Sequence, residues 1–108
     1  PMDGFVVVTT PQALANMDAK RCINMIRKLN LNVLGVVENY TGEMFGEGAG
    51  KKLAKDVDVP FLGSMALRPS YRDTSRPTVL VDPAVGQEYR QVAKAVKDSL
   101  KELGREAA

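Results

Sequence analysis

Histidine and tryptophan are absent from the 108 residues, and cysteine occurs once, as Cys22. Without histidine, no Ser–His or Cys–His nucleophile and no zinc–imidazole centre is assembled from within this chain. One cysteine excludes an internal disulfide framework and an all-cysteine metal site. Neither sign of charge dominates: 15 basic residues stand against 13 acidic, a formal +2. That balance argues against a nucleic-acid surface. No apolar run approaches the ~18 residues of a membrane span, and no charged-then-apolar leader opens the sequence. The expected location is cytoplasmic. What remains is 44% apolar and 26% charged, an ordinary globular composition.

The apolar residues come in two periods. Gly4-Phe5-Val6-Val7-Val8-Thr9 is short, β-branched and continuously apolar, as in a strand of a parallel sheet buried on both faces. Thr10-Pro11 fits an N-cap and first helical position. From Gln12 to Leu29 the spacing is helical, with Ala15, Ala19, Cys22, Ile26 and Leu29 on one stripe. On that stripe Cys22 reads as a buried, inert thiol. Val33-Leu34-Gly35-Val36-Val37 is a second strand, ending in Glu38-Asn39. A glycine-dense stretch, 41–50, leads to a short helix around Leu53, Ala54 and Val57. Pro60-Phe61-Leu62-Gly63 reads as a third strand. Thr78-Val79-Leu80-Val81, between Pro77 and Pro83, reads as a strand or an extended segment on the sheet. Tyr89, Val92, Ala93, Val96, Leu100 and Leu103 form the apolar stripe of a last helix, with Gly104 as its stop. Its basic stripe, Arg90, Lys94, Lys97 and Lys101, is interrupted by acids and reads as a solvated face.

The order β-α-β-α-β plus a closing helix predicts an α/β fold: a partial, mostly parallel sheet flanked by helices. So few strands, each apolar on both faces, leave two open edges, which is a liability. The expectation is one α/β unit over 1–108 that is part of a larger sheet. More chain or a second subunit would complete the sheet.

Motif spacing removes several chemistries. Gly46-Glu47-Gly48-Ala49-Gly50-Lys51-Lys52 is close to a P-loop, but Phe45 stands where the first Walker glycine belongs, and Lys52 replaces the magnesium-binding hydroxyl. The dinucleotide fingerprint fails because its third glycine comes one residue early. The segment reads as a loop entering a helix whose N-terminal amides could attract an anion. Asn39 ends the second strand, where ligands bind in open α/β sheets. Its amide suits a purine edge, and equally a cap or turn. Thr9 and Thr10 read as caps of the first helix. Arg68, Arg72 and Arg76 would share a face if their segment were helical, either as a clamp for anions or as a solvated face. No carboxylate pair is spaced for acid–base work, and no residue is assigned a catalytic or metal-binding role.

Three stretches together resemble a known family. They are Asp3 to Gln12 (D-G-F-V-V-V-T-T-P-Q), Val33 to Tyr40 (V-L-G-V-V-E-N-Y), and Phe45-Gly46 through Pro60-Phe61-Leu62-Gly63 to Pro69. In this order they are similar to the C-terminal half of Mrp/ApbC-type P-loop ATPases of the MinD/ParA group. The resemblance implies that 1–108 is the C-terminal portion of a larger nucleotide-binding domain with a three-layer P-loop NTPase-like fold, usually a homodimer with nucleotide near the interface, and a role in iron–sulfur cluster assembly or carriage. It places Asn39 against adenine and Leu67, Arg68 and Pro69 in the loop closing over the base. Thr10 and Pro11 fall near the nucleotide and dimer face. ATP or ADP would be held only together with a Walker A half or a partner chain, because this chain contains no Walker A. Alone it is expected to be inactive. The family's Cys-x-x-Cys falls in an interval that here is Tyr40-Thr41-Gly42-Glu43-Met44, so a thiolate-held cluster is not expected there. The alternative is a non-catalytic interaction module holding a protein client through its open strand edge and the three arginines.

Overall fold

The β-branched runs of the sequence form the strands, and the helical stripes fold back over them. The structure, a computed structural model, describes residues 3–42, 46–72 and 75–107. Its elements are β1 (Phe5–Thr9), α1 (Ala13–Lys28), β2 (Val33–Thr41), α2 (Ala49–Asp56), β3 (Phe61–Ala66), a 3-10 turn (Pro69–Arg72), α3 (Thr78–Val81) and α4 (Pro83–Ala107). The sheet order is β1-β2-β3 and both pairings are parallel. Two strand–helix–strand crossovers of one hand place α1 and α2 on the same face. There Val7, Ala19, Ile23, Ile26, Val36, Leu53, Ala54 and Val57 form the main core. On the other face α4 packs on β2 and β3. This open parallel sheet between two helical layers bears out the expected fold class, a P-loop NTPase-like α/β arrangement.

The pairing on both sides of β2 is irregular. Val6 pairs with Gly35 immediately after Phe5 pairs with Val33, so Leu34 is skipped. The Leu34 carbonyl instead accepts a hydrogen bond from the Ser99 hydroxyl of α4, at 2.7 Å. The ladder irregularity thus becomes the attachment point of the closing helix.

Several expectations change. β1 is buried on one face only: Val7 is 7% exposed, whereas Val6 and Val8 are 38% and 59% exposed. Side chains alternate along a strand, and the main packing of α4 is on β2 and β3. Neither Thr9 nor Thr10 caps α1. Its N-cap is Gln12, without a side-chain bond, and Asn16 folds back on the Thr10 carbonyl at 2.7 Å. Thr78–Val81 is one helical turn rather than a strand, closed by Leu80 N–H to Pro77 O and Asp82 N–H to Thr78 O. Proline on both sides leaves it no length for a ladder. β3 runs on to Ala66, and α4 starts at Pro83 and passes through Gly104. A glycine near a helix end costs only ~1 kcal/mol and does not oblige the helix to stop.

Candidate functional site

Parallel strands end together, so Thr9, Thr41 and Ala66 bring the chain to one edge of the sheet. Beyond that edge the Leu67 N–H donates to the Thr41 carbonyl at 3.0 Å, carrying the β2–β3 contact one residue past β3. A cavity of about 240 Å³ opens here, lined by Thr10, Gln12, Tyr40 and Leu67. It is the position at which open parallel sheets bind ligands.

Of the four residues singled out from sequence, one lines the cavity: Leu67, which is 43% exposed. Asn39 lies two residues before the end of β2, half-buried, and does not line it. The Asn39 Oδ1 accepts the Tyr40 N–H at 3.0 Å, which leaves its amide protons without a partner among the described residues. Tyr40 takes a left-handed φ of 59°, uncommon for a bulky residue. Arg68 turns away to Glu88 of α4, with Nε to Oε1 at 3.2 Å. Pro69 is exposed and opens the 3-10 turn. The arginines 68, 72 and 76 form no common helical face. The turn closes through Tyr71 N–H to Arg68 O, and with three residues per turn a spacing of four does not align.

Gln12 and Tyr40 line the cavity and were not assigned from sequence. Nor were three carboxylates that shape its surroundings. Glu38 is 1% exposed, and its two oxygens accept the N–H groups of Gly48 (3.1 Å) and Gly50 (3.2 Å). Gly48 is the N-cap of α2 and sits at φ 95°, a conformation that favours glycine. The helix start expected to attract an anion is therefore already neutralised by this chain's own carboxylate. The preceding Gly42 and Gly46 exchange two backbone hydrogen bonds. Glu43, Met44 and Phe45, within the interval compared with the Cys-x-x-Cys and the Walker glycine, lie outside the described residues.

Glu88 uses both oxygens, one for Arg68 and the other for the Ala66 N–H at 3.1 Å. That carboxylate holds the Arg68 guanidinium above its ordinary pKa. Burial pushes the neighbouring Tyr71 phenol up. Asp82 caps α4: it accepts Ser70 Oγ–H at 2.7 Å and the Ala84 N–H at 3.0 Å. The Ser70 hydroxyl, then the α4 amides, hold its carboxyl below the ordinary 3.8. A depressed carboxyl stabilises the fold above its unfolded pKa and ceases to do so as pH falls through the folded value. An NMR acid titration should therefore show the Ala84 amide losing its native shift only below pH 3.8, and Asp82→Asn should abolish that transition.

Cys22 is half-buried on α1, packed against the main core and remote from this edge. Among the described residues no group of three or more His, Cys, Asp or Glu is placed to hold a metal. The side chains at hand do not fit an iron–sulfur cluster. No helix among the described residues is long and apolar enough to cross a membrane.

The open parallel sheet flanked by helices on both faces is a P-loop NTPase-like α/β fold. The family model described as ParA, NUBPL iron-transfer P-loop NTPase, matches residues 1–101. The chain belongs to this family. It is 43% identical to an "Iron-sulfur cluster carrier protein" of Pseudomonas fragi, over 77% of this chain and 33% of that protein. It is 32% identical to a protein of the same name from Methanocaldococcus jannaschii, over 92% of this chain and 39% of the other. A "Cytosolic Fe-S cluster assembly factor CFD1" of Candida glabrata is 44% identical, over 66% of this chain and 28% of that protein. The chain thus matches well under half the length of each of these relatives.

Proposed function

We propose that this chain is the C-terminal portion of an iron–sulfur carrier ATPase and supplies the base-side wall of its ATP site. Leu67 and Tyr40 form an apolar surface for the adenine ring. Asn39, its Oδ1 already occupied, offers its amide protons to a ring nitrogen. The backbone at Arg68 and Pro69 closes the loop over the base. Thr10 and Pro11, at the same edge, contribute to the face where a second copy or a completing chain docks. The triphosphate grip comes from a Walker A segment outside these residues. The outer edge of β1 is where that half of the sheet would add, and the exposed Val6 and Val8 lie on the face it would help cover. Cluster ligands likewise come from elsewhere, since one half-buried cysteine cannot supply them.

The observation that carries this reading is the cavity at the carboxyl edge, bordered by Tyr40 and Leu67. Glu38 in the α2 N-terminus supports the division of labour, because that carboxylate would repel a phosphate there. The 108 residues alone are expected to hydrolyse no ATP. Joined to a Walker A half, they should bind ATP about tenfold less tightly after Asn39→Ala, as for a lost hydrogen bond of ~1.4 kcal/mol. Fluorescent-nucleotide titration measures this. Unchanged affinity in both Asn39→Ala and Leu67→Ala, or steady hydrolysis by the isolated chain, would refute the assignment.

A further inference from the structure

We propose that Glu88, on α4, is a positioning residue that orders Leu67 for the base, holding the Ala66 N–H on one side of it and the Arg68 side chain on the other. The inference rests on the base-wall reading and assigns it a residue from an element that does not line the cavity. Three consecutive residues are pinned. The Ala66 N–H goes to Glu88 Oε2 at 3.1 Å, the Leu67 N–H to the Thr41 carbonyl at 3.0 Å, and Arg68 Nε to Glu88 Oε1 at 3.2 Å. One carboxylate thus brackets Leu67, whose own side chain stays 43% exposed at the cavity. An apolar side chain on a free loop samples many positions, and ordering it on binding costs affinity. Here the ordering is done in advance by the fold.

The bracket is sheltered. The Glu88 side chain is 17% exposed and that of Arg68 30%. Charge-assisted hydrogen bonds in such a setting are stronger than neutral ones. Arg68 commits only Nε to Glu88, and its terminal nitrogens have no partner among the described residues. Asp82 ties Ser70 to the start of the same helix at 2.7 Å, so the whole loop from Ala66 to Ser70 is referenced to α4. A shift of α4 would move Leu67 and Arg68 together.

The test uses the polypeptide in which this chain is joined to its Walker A half, titrated with ATP and with inorganic tripolyphosphate. Glu88→Ala should weaken ATP binding about tenfold and leave tripolyphosphate affinity unchanged, so that the ATP-to-tripolyphosphate affinity ratio falls about tenfold. Glu88→Gln keeps the volume and one acceptor. It should shift the same ratio about threefold, and it serves where the alanine variant does not fold. A folded Glu88 variant with the parent ATP-to-tripolyphosphate ratio overturns the proposal. If Asn39→Ala moves the ratio while Glu88→Gln and Glu88→Ala do not, the positioning role alone fails. If none of the three moves it, the base-wall assignment fails as well.

Discussion

Gly35→Ala is expected to destabilise the protein by about 3 kcal/mol, at the upper end of what overpacking costs. Gly35 lies in the central strand β2 at φ 156°. A Cβ there would stand 2.6 Å from Leu62 Cγ and 2.6 Å from the Pro60 carbonyl oxygen. Leu62 is buried and has no room to swing away. The Pro60 oxygen accepts the Val36 N–H at 2.9 Å, so moving it breaks the rung joining β3 to β2. Both escape routes therefore damage the sheet. Small domains hold only ~5–15 kcal/mol in total, so the loss is a large part of it. Urea unfolding should show a clearly lower midpoint or no cooperative transition at all. A parent-like midpoint would mean that β2 and β3 do not approach as described.

Glu38→Ala should cost a similar amount, about 3 kcal/mol, for a different reason. The substitution removes two charge-assisted hydrogen bonds, worth ~1.5–3 kcal/mol each before relaxation and water entry offset part of the loss. It leaves the Gly48 and Gly50 amides without their acceptor. Glu38→Gln retains one acceptor oxygen but turns an N–H toward the other donor, so about half the loss is expected. Amide exchange separates this from a general loss of stability. Gly48 and Gly50 should exchange faster under native conditions while the Val36 amide, in the β2–β3 ladder, stays protected. Uniform acceleration across the sheet would show that Glu38 acts through packing rather than through these bonds.

The two predictions touch the parts of the molecule that sequence rendered unequally. β1 and the first half of β2 were legible because Val6-Val7-Val8 and Val36-Val37 are β-branched and uninterrupted. Ser64-Met65-Ala66 lack that character, and so β3 was read short. Thr78–Val81 has strand composition, but Pro77 and Pro83 confine it to a single turn. The true start of α4 was signalled by Asp82-Pro83, a capping residue followed by proline at the first helical position. At the site, the family resemblance led to Asn39, Leu67, Arg68 and Pro69. The cavity itself draws only Leu67 from that set. The supporting carboxylates were invisible because their partners are backbone N–H groups or distant in the chain. Nothing local ties Glu38 to Gly50 or Glu88 to Ala66. Such pairings appear only when the glycine loop and the closing helix have found their places.

The bond from Ser99 to the Leu34 carbonyl spans 65 residues of sequence. It fastens the final helix over a sheet whose three strands are all synthesised before it. On the ribosome, where segments emerge in order, β1 to β3 leave the exit tunnel with one face lacking its helical cover. That face is sealed only when α4 arrives, so stalling or truncation ahead of Pro83 would release a nascent sheet with its apolar underside still open to chaperones.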